Sequence, residues 1–149
     1  MAELLLDKFS SGRFPEGITV MLRGELGAGK TCFVKGAADF LAPDERITSP
    51  SYTLINEYNS GPVRFVHADL YRMNSPAEVE FTGLFEYPGP DTILMIEWPD
   101  KILAHWKKFI SLEINKKQAK TRELNFKARG QEEKGFLEEL NSYNDNSGH

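Results

Sequence analysis

The sequence lacks the features that mark secreted, membrane-spanning or nucleic-acid-binding proteins. Its 149 residues include one cysteine, Cys32, which excludes an internal disulfide and is typical of a reducing compartment. No apolar run approaches the ~20 residues that span a bilayer, and the acidic start of the chain is unlike a signal peptide. The net charge of −4 argues against a surface that neutralises a nucleic-acid backbone. We therefore expect a cytoplasmic protein with no membrane segment.

The composition that is present, 40% apolar and 27% charged, is that of a globular domain. We predict a single domain over residues 1–140 and a flexible tail over 141–149. Hydrophobic patterning predicts strands at 18–22, 52–58, 63–68, 92–96, 109–114 and 122–128, and helices at 3–9, 32–41, 75–83 and 132–140. The turn-rich link at 59–62 predicts a hairpin. In the second helix, spacing places Phe33, Ala37, Phe40 and Leu41 on one face.

The strongest motif joins the first predicted strand to the helix after it. Glycines let backbone N–H groups close around a phosphate, a lysine supplies a charge for the β- and γ-phosphates, and a hydroxyl is a hard ligand for Mg²⁺. These residues fit the G-x-x-x-x-G-K-[ST] pattern as Gly24-Glu25-Leu26-Gly27-Ala28-Gly29-Lys30-Thr31. The strand and helix on either side favour a nucleotide site over a chance glycine-rich turn. We expect nucleotide contacts from Glu25 to Cys32, while the direction of the Glu25 carboxylate stays open.

Two acids follow apolar strands, at the positions where a P-loop site needs a carboxylate for Mg²⁺. Glu97 ends the strand at 92–96, and Asp69 ends the strand at 63–68. The carboxyl ends of strands line the ligand crevice of an α/β sheet. We predict that Glu97 is the Mg²⁺-side carboxylate and that Asp69 orients a water or the metal shell. The alternative, for either acid, is a charge that marks where a strand meets water.

Three other features are less specific. The hydroxyl-rich loop from Thr48 and Ser49 to Ser51 either reaches the γ-phosphate or is a solvated turn. His67 is interpreted as a strand histidine, because no partner with metal-ligand spacing lies near it in the sequence. Trp98 follows Glu97 directly and is ordinarily a core aromatic at a strand end.

These elements predict the α/β class, with a P-loop NTPase-like three-layer fold. The sheet is expected to be mixed and mainly parallel, with helices on both faces. The hairpin at 52–68 and the final strand pair are expected to add antiparallel strands. The patterning does not indicate the strand order.

Several segments, taken in order, resemble the bacterial TsaE (YjeE) family of P-loop ATPases. The resemblance covers residues 17–130, and its most specific pieces are H-x-D-x-Y-R and E-W-P. The segments are the P-loop, Thr48-Ser49-Pro50-Ser51-Tyr52-Thr53, Asn56-Glu57-Tyr58, His67-Ala68-Asp69-Leu70-Tyr71-Arg72, Gly83-Leu84-Phe85-Glu86-Tyr87 and Ile96-Glu97-Trp98-Pro99.

The resemblance implies a role in forming threonylcarbamoyladenosine at position 37 of tRNAs that read codons beginning with A. Members bind ATP and Mg²⁺, hydrolyse ATP weakly alone, and act with the TsaD and TsaB proteins without transferring the threonylcarbamoyl group themselves. Contact with tRNA is then indirect. Only a short segment precedes the first core strand, so the base-side pocket is expected to be incomplete or built differently from the family's.

The resemblance also assigns roles to individual residues. Lys30 and Thr31 become the phosphate and Mg²⁺ residues, and Glu97 the metal-site acid. The remaining assignments are Asp69 as a functional acid, Trp98 as important for activity, Thr48 to Ser51 as a switch-like loop and Arg122 as a position near the nucleotide base. Two alternatives are kept: a free-standing small P-loop kinase, for which no lid-like insertion is seen, and a nucleotide-binding module without hydrolysis.

Overall fold

Six strands form one mixed sheet in the computed structural model, which describes residues 1–59 and 63–147. The strands are β1 Ile18–Arg23, β2 Ile55–Tyr58, β3 Arg64–Asp69, β4 Thr92–Glu97, β5 Phe109–Gln118 and β6 Thr121–Arg129. Their spatial order is β2-β3-β4-β1-β5-β6. The four central strands are parallel, whereas β2 and β6 pair antiparallel at the two edges. The predicted mixed, mainly parallel sheet with antiparallel additions is confirmed.

Helices cover both faces of this sheet. They are α1 Ala2–Ser10, α2 Lys30–Leu41, α3 Pro76–Phe81 and α4 Gln131–Ser147, with short 3₁₀ helices at Leu84–Glu86, Pro99–Lys101 and Leu103–His105. Side chains alternate between the faces along a strand. In β1, Val20 and Leu22 pack into the core beneath α2 and α4, while Met21 packs into the core beneath α3. This arrangement is the three-layer architecture expected from the sequence.

Several boundaries and one helix face differ from the predictions. β5 continues to Gln118, four residues beyond its predicted end at residue 114. β2 begins at Ile55 because Tyr52–Leu54 form a turn, in which the N–H of Leu54 donates to the carbonyl of Pro50 (2.8 Å). α4 continues to Ser147, well beyond the predicted end at residue 140, so most of the segment assigned to the tail is helical. Phe40 is 56% exposed, whereas Val34 on the same helix is fully buried. Residues 60–62 of the link predicted at 59–62 lie outside the described residues.

Strand register brings distant parts of the chain together at the carboxyl ends of the parallel strands. In the parallel pairing of β1, β3 and β4, Glu97 lies opposite both Leu22 and Asp69. The loop at residues 24–31 leaves the same end of the sheet, directly after β1. The predicted phosphate loop and both predicted acids therefore meet at the carboxyl ends of the parallel strands.

Within residues 1–59 and 63–147, no helix combines the length and the apolar character needed to cross a membrane.

Candidate nucleotide-binding site

The P-loop, residues 24–31, is folded for backbone approach to an anion. Gly24 (φ 147°) and Gly29 (φ 113°) adopt left-handed backbone that glycine tolerates best. A Cβ added at Gly24 would lie 2.6 Å from the carbonyl oxygen of Ile114, so only glycine fits there. α2 begins immediately after, at Lys30, and its N-terminal end faces the loop. The free N–H groups and the helix dipole together favour a phosphate at this point.

Lys30 lies inside the loop and is only 5% exposed. Its Nζ donates to the carbonyls of Gly24 (2.6 Å) and Glu25 (3.0 Å) and lies 3.9 Å from the ring centroid of Trp98. Burial lowers the pKa of the Lys30 ammonium, while the carboxylates of Glu97 and Asp69 act in the opposite direction. The ammonium is therefore poorly solvated, and an incoming phosphate would meet a cation with little water to displace.

Glu97 connects the P-loop to the interior of the sheet. The Thr31 hydroxyl donates to Oε1 (2.9 Å) and lies 3.1 Å from Oε2, and His67 Nε2 lies 2.8 Å from Oε1. This contact suits the His67 tautomer with its proton on Nε2, which can donate to a carboxylate oxygen. Glu97 is 3% exposed, and His67 is fully buried. The imidazole therefore fixes the carboxylate in the position where it meets Thr31.

Sequence reasoning missed this function of His67. The sequence did contain an indication of this function. His67 and Asp69 are two residues apart on β3, so both side chains point to the same face of the sheet, the face of a predicted site acid. Among the described residues, His67 Nδ1 has no hydrogen-bond partner, so the side chain is anchored through Glu97.

Asp69 is half-buried at the end of β3. Its Oδ1 accepts a hydrogen bond from the N–H of Tyr71 (3.0 Å). Burial raises the pKa of the Asp69 carboxyl, and the neighbouring Glu97 carboxylate raises it further, against the Tyr71 N–H. Asp69 is therefore more easily protonated than an ordinary aspartate.

Trp98 occupies a strained position between β4 and the cleft. Its backbone is left-handed (φ 58°, ψ 54°), which is unusual for a bulky residue, and its N–H donates to the carbonyl of Leu22 (3.3 Å). The indole covers the Lys30 ammonium on one side and lies 5.0 Å from the Tyr71 ring, centroid to centroid. Trp98 thus forms a wall of the cleft, in addition to packing against the core beneath α3.

The backbone strain at Trp98 gives a stability prediction. Trp98→Gly and Trp98→Ala remove the same indole, but alanine keeps the cost of a Cβ in left-handed backbone. We expect the glycine variant to be more stable than the alanine variant by about 1 kcal/mol. Urea unfolding of the two variants measures the difference directly. An alanine variant of equal or greater stability would show that the left-handed conformation is not retained.

Most of the predicted site residues meet in one cleft of about 300 Å³ at the carboxyl ends of the parallel strands. Its lining consists of Leu26, Gly27, Gly29, Lys30, Thr31, Cys32, Ser51, Asp69, Tyr71, Glu97 and Trp98. The Glu25 side chain is exposed, which answers the question left open by the sequence. Ala28 is buried beneath the loop and does not line the cleft.

The hydroxyl loop contributes one residue to the cleft, and it is Ser51. Ser49 is exposed and bonds Ser51 through its hydroxyl (2.8 Å). Thr48 is held away from the cleft, because its N–H and carbonyl both bond the Tyr58 hydroxyl and its carbonyl also accepts from Asn56. Thr48 and Ser49 therefore lie beside the cleft in this conformation.

Two basic residues of the β5–β6 hairpin bind the back of the P-loop. Arg122 Nε donates to the carbonyl of Ala28 (2.9 Å), and Lys116 Nζ lies 3.3 Å from the carbonyl of Leu26. Arg122 does not line the cleft, and its assignment near the nucleotide base stays a prediction. Sequence reasoning missed Lys116, which lies between the strands predicted at 109–114 and 122–128 and belongs to β5 in the structure.

The oxygen ligands in the cleft fit Mg²⁺ carried by a nucleotide. The Thr31 hydroxyl and the Glu97 carboxylate are hard oxygens in direct contact, the ligand type that Mg²⁺ prefers. Over residues 1–59 and 63–147, no group of three or more His, Cys, Asp and Glu side chains is arranged to hold a metal. Phosphate oxygens and waters would therefore complete the coordination.

A P-loop between β1 and α2, with a buried acid on the adjacent strand, defines a P-loop nucleotide-binding protein. The family model of the threonylcarbamoyl adenosine biosynthesis protein TsaE matches residues 2–124, and the chain belongs to this family. The resemblance seen in the sequence is thereby confirmed.

Relatives and a solved structure agree with this family. A Haemophilus influenzae protein named tRNA threonylcarbamoyladenosine biosynthesis protein TsaE is 40% identical over 100 residues, which are 67% of this chain and 61% of the relative. The Bacillus subtilis protein of the same name is 35% identical over 128 residues, covering 85% and 80%. The crystal structure of Bacillus YdiB superposes with a TM-score of 0.66 at 30% identity, covering 95% of this chain and 89% of that one. The match thus spans about three fifths of the Haemophilus relative.

Proposed function

We propose that this chain is the ATP-binding and ATP-hydrolysing subunit required to form threonylcarbamoyladenosine at position 37 of tRNAs that read codons beginning with A. It acts with TsaD and TsaB in the cytoplasm and does not transfer the threonylcarbamoyl group itself. The observation that carries the proposal is the Thr31–Glu97 contact (2.9 Å) beside the P-loop in a chain of the TsaE family. That contact joins a phosphate-loop hydroxyl to a strand-end acid, as Mg²⁺-dependent ATP chemistry requires.

Each residue of the cleft has a distinct task in this proposal. The N–H groups of the P-loop and the Lys30 ammonium bind the phosphates. Thr31 and Glu97 would hold Mg²⁺, which when bound neutralises charge on the phosphates. His67 keeps the Glu97 carboxylate in place, and Asp69 orients the attacking water. Trp98 shields the Lys30 ammonium from solvent, which strengthens its attraction to phosphate.

Contact with tRNA through partner proteins is supported by charge. The net charge of −4 is unfavourable for binding an RNA backbone, whose neutralisation needs clustered cations. The nucleotide cleft opens to solvent beside Leu26, Tyr71 and Tyr52, which are 72%, 58% and 87% exposed. Apolar surface of this kind is typical of a protein interaction site.

The ATPase rate, measured with and without TsaD, TsaB and tRNA, tests the proposal. We expect at least a tenfold rise with all three, because partners that complete the cleft would fix the attacking water. Unchanged ATP after long incubation with both partners would instead indicate a binding module without hydrolysis. Transfer of labelled phosphate from ATP to a small acceptor would indicate a kinase.

A further inference from the structure

A second and larger cleft, of about 680 Å³, lies at the amino ends of the parallel strands, opposite the nucleotide cleft. It opens where β1, β4 and β5 begin, between Gly17 and Thr19 on one side and His105 to Lys108 on the other. The two clefts lie at opposite ends of the six-residue strand β1, whose length separates them by about 20 Å. A volume of this size is within the usual range of small-molecule sites.

One wall of this second cleft is aromatic. The Phe85 ring lies 5.4 Å from Trp106 and 5.9 Å from His105, centroid to centroid. The Trp106 indole N–H donates to the Thr19 hydroxyl (3.0 Å), so the ring is held in one orientation with its donor already used. Aromatic rings attract cations through their electron-rich faces, and Phe85 is the more accessible ring of this wall, since Trp106 is only 7% exposed.

A buried carboxyl faces the same cleft. Glu133, in the first turn of α4, lines the cleft although it is only 3% exposed. Its Oε2 has no hydrogen-bond partner among the described residues. Burial raises the pKa of the Glu133 carboxyl, and its own backbone N–H and the Lys108 ammonium only partly offset this effect.

Within residues 1–59 and 63–147, Glu133 forms no ion pair, although the Lys108 ammonium is near enough to lower the pKa of its carboxyl. That ammonium bonds the Glu16 carboxylate (3.0 Å) and lies 3.9 Å from Glu132. Lys107 and His105 also line the cleft, so the feature that favours a cation is the unpartnered Glu133 carboxyl and not the overall charge of the lining. A buried acceptor with an unused lone pair costs free energy until a donor reaches it.

We propose that this second cleft is a binding site for a flat organic cation, an amidinium or guanidinium group on an apolar body. Its N–H groups donate to Glu133, and its plane stacks on the aromatic wall formed by Phe85 and Trp106. The proposal is independent of nucleotide chemistry, because no residue of the second cleft belongs to the P-loop cleft.

Benzamidine and benzamide form a matched pair of probes, since they have the same ring and nearly the same shape but differ in charge. The chain has two tryptophans, Trp98 in the nucleotide cleft and Trp106 in the second cleft. Their indole N–H signals in a ¹H–¹⁵N NMR spectrum, assigned with Trp→Phe variants, report the two clefts separately. We expect benzamidine to shift the Trp106 signal saturably and to leave the Trp98 signal in place.

Glutamate-to-glutamine variants show which carboxylate benzamidine binds. We expect Glu133→Gln to weaken benzamidine binding about tenfold or more, because it removes a charge-assisted hydrogen bond. Glu138→Gln, the same change at an exposed position of α4 outside the second cleft, is the control and should bind within about twofold of the parent. Equal binding of benzamide and benzamidine, full affinity in Glu133→Gln, or no Trp106 shift at saturating probe would each overturn the proposal. Because the comparison of the two probes uses the unmodified chain, it decides the matter even if Glu133→Gln fails to fold.

Discussion

Replacing Lys30 with methionine is expected to weaken ATP binding about a hundredfold and to abolish ATP-dependent tRNA modification. The methionine keeps the length of the buried stem but removes the ammonium that faces the phosphates. Charge-assisted contacts to the β- and γ-phosphates are lost together, which accounts for the size of the effect. Calorimetric titration with ATP measures the affinity, and a reconstituted mixture with TsaD, TsaB and tRNA measures the modification.

Lys35→Met is the matched control, since Lys35 is exposed on the same helix α2. It should bind ATP within about twofold of the parent, because an exposed charge outside the cleft is screened by solvent. Full modification activity in Lys30→Met, with its thermal unfolding unchanged, would refute the role of the P-loop in this function.

Glu97→Gln separates hydrolysis from binding. The P-loop and Lys30 stay in place, so we expect ATP affinity to fall less than about tenfold. The amide cannot supply the negative charge that holds Mg²⁺, and it has a single acceptor for the donors of Thr31 and His67. We therefore expect single-turnover hydrolysis to slow by about a hundredfold or more.

The control for this variant is Glu80→Gln, which makes the same chemical change at an exposed position of α3. Its hydrolysis rate should equal that of the parent. If Glu97→Gln hydrolyses ATP at the parental rate, Glu97 is a structural acid, and Asp69 becomes the candidate for the metal-side carboxylate.

The fold was predictable from the sequence to the level of its elements and layers. Apolar strands, the P-loop and the turn-rich links each depend on neighbouring residues, so a local pattern suffices for them. Strand order was not predictable, because β1 is apolar on both faces and Val20 and Met21 enter different cores. Patterning shows that such a strand is central without showing which strands lie beside it.

The remaining errors have long-range causes. On α2 the predicted residues Ala37 and Leu41 are buried, but Val34 and Ala38 complete the buried face while Phe40 is exposed. Only the position of the helix above the sheet decides between two apolar stripes so close together. His67 acquires its function from Glu97, and Lys116 from the carbonyl of Leu26, and neither contact is visible along the chain.

The pairing of Ile18 with Ile93 has a consequence for how the protein comes to bind nucleotide. The chain between them must close into a long loop before β1 and β4 gain any contact energy, and such closures slow folding. During synthesis from the N-terminus, the P-loop emerges well before β4, which ends at Glu97, and before Trp98 that follows it. Stabilisation by nucleotide contacts that involve Glu97 and Trp98 is therefore acquired only after this strand has been synthesised.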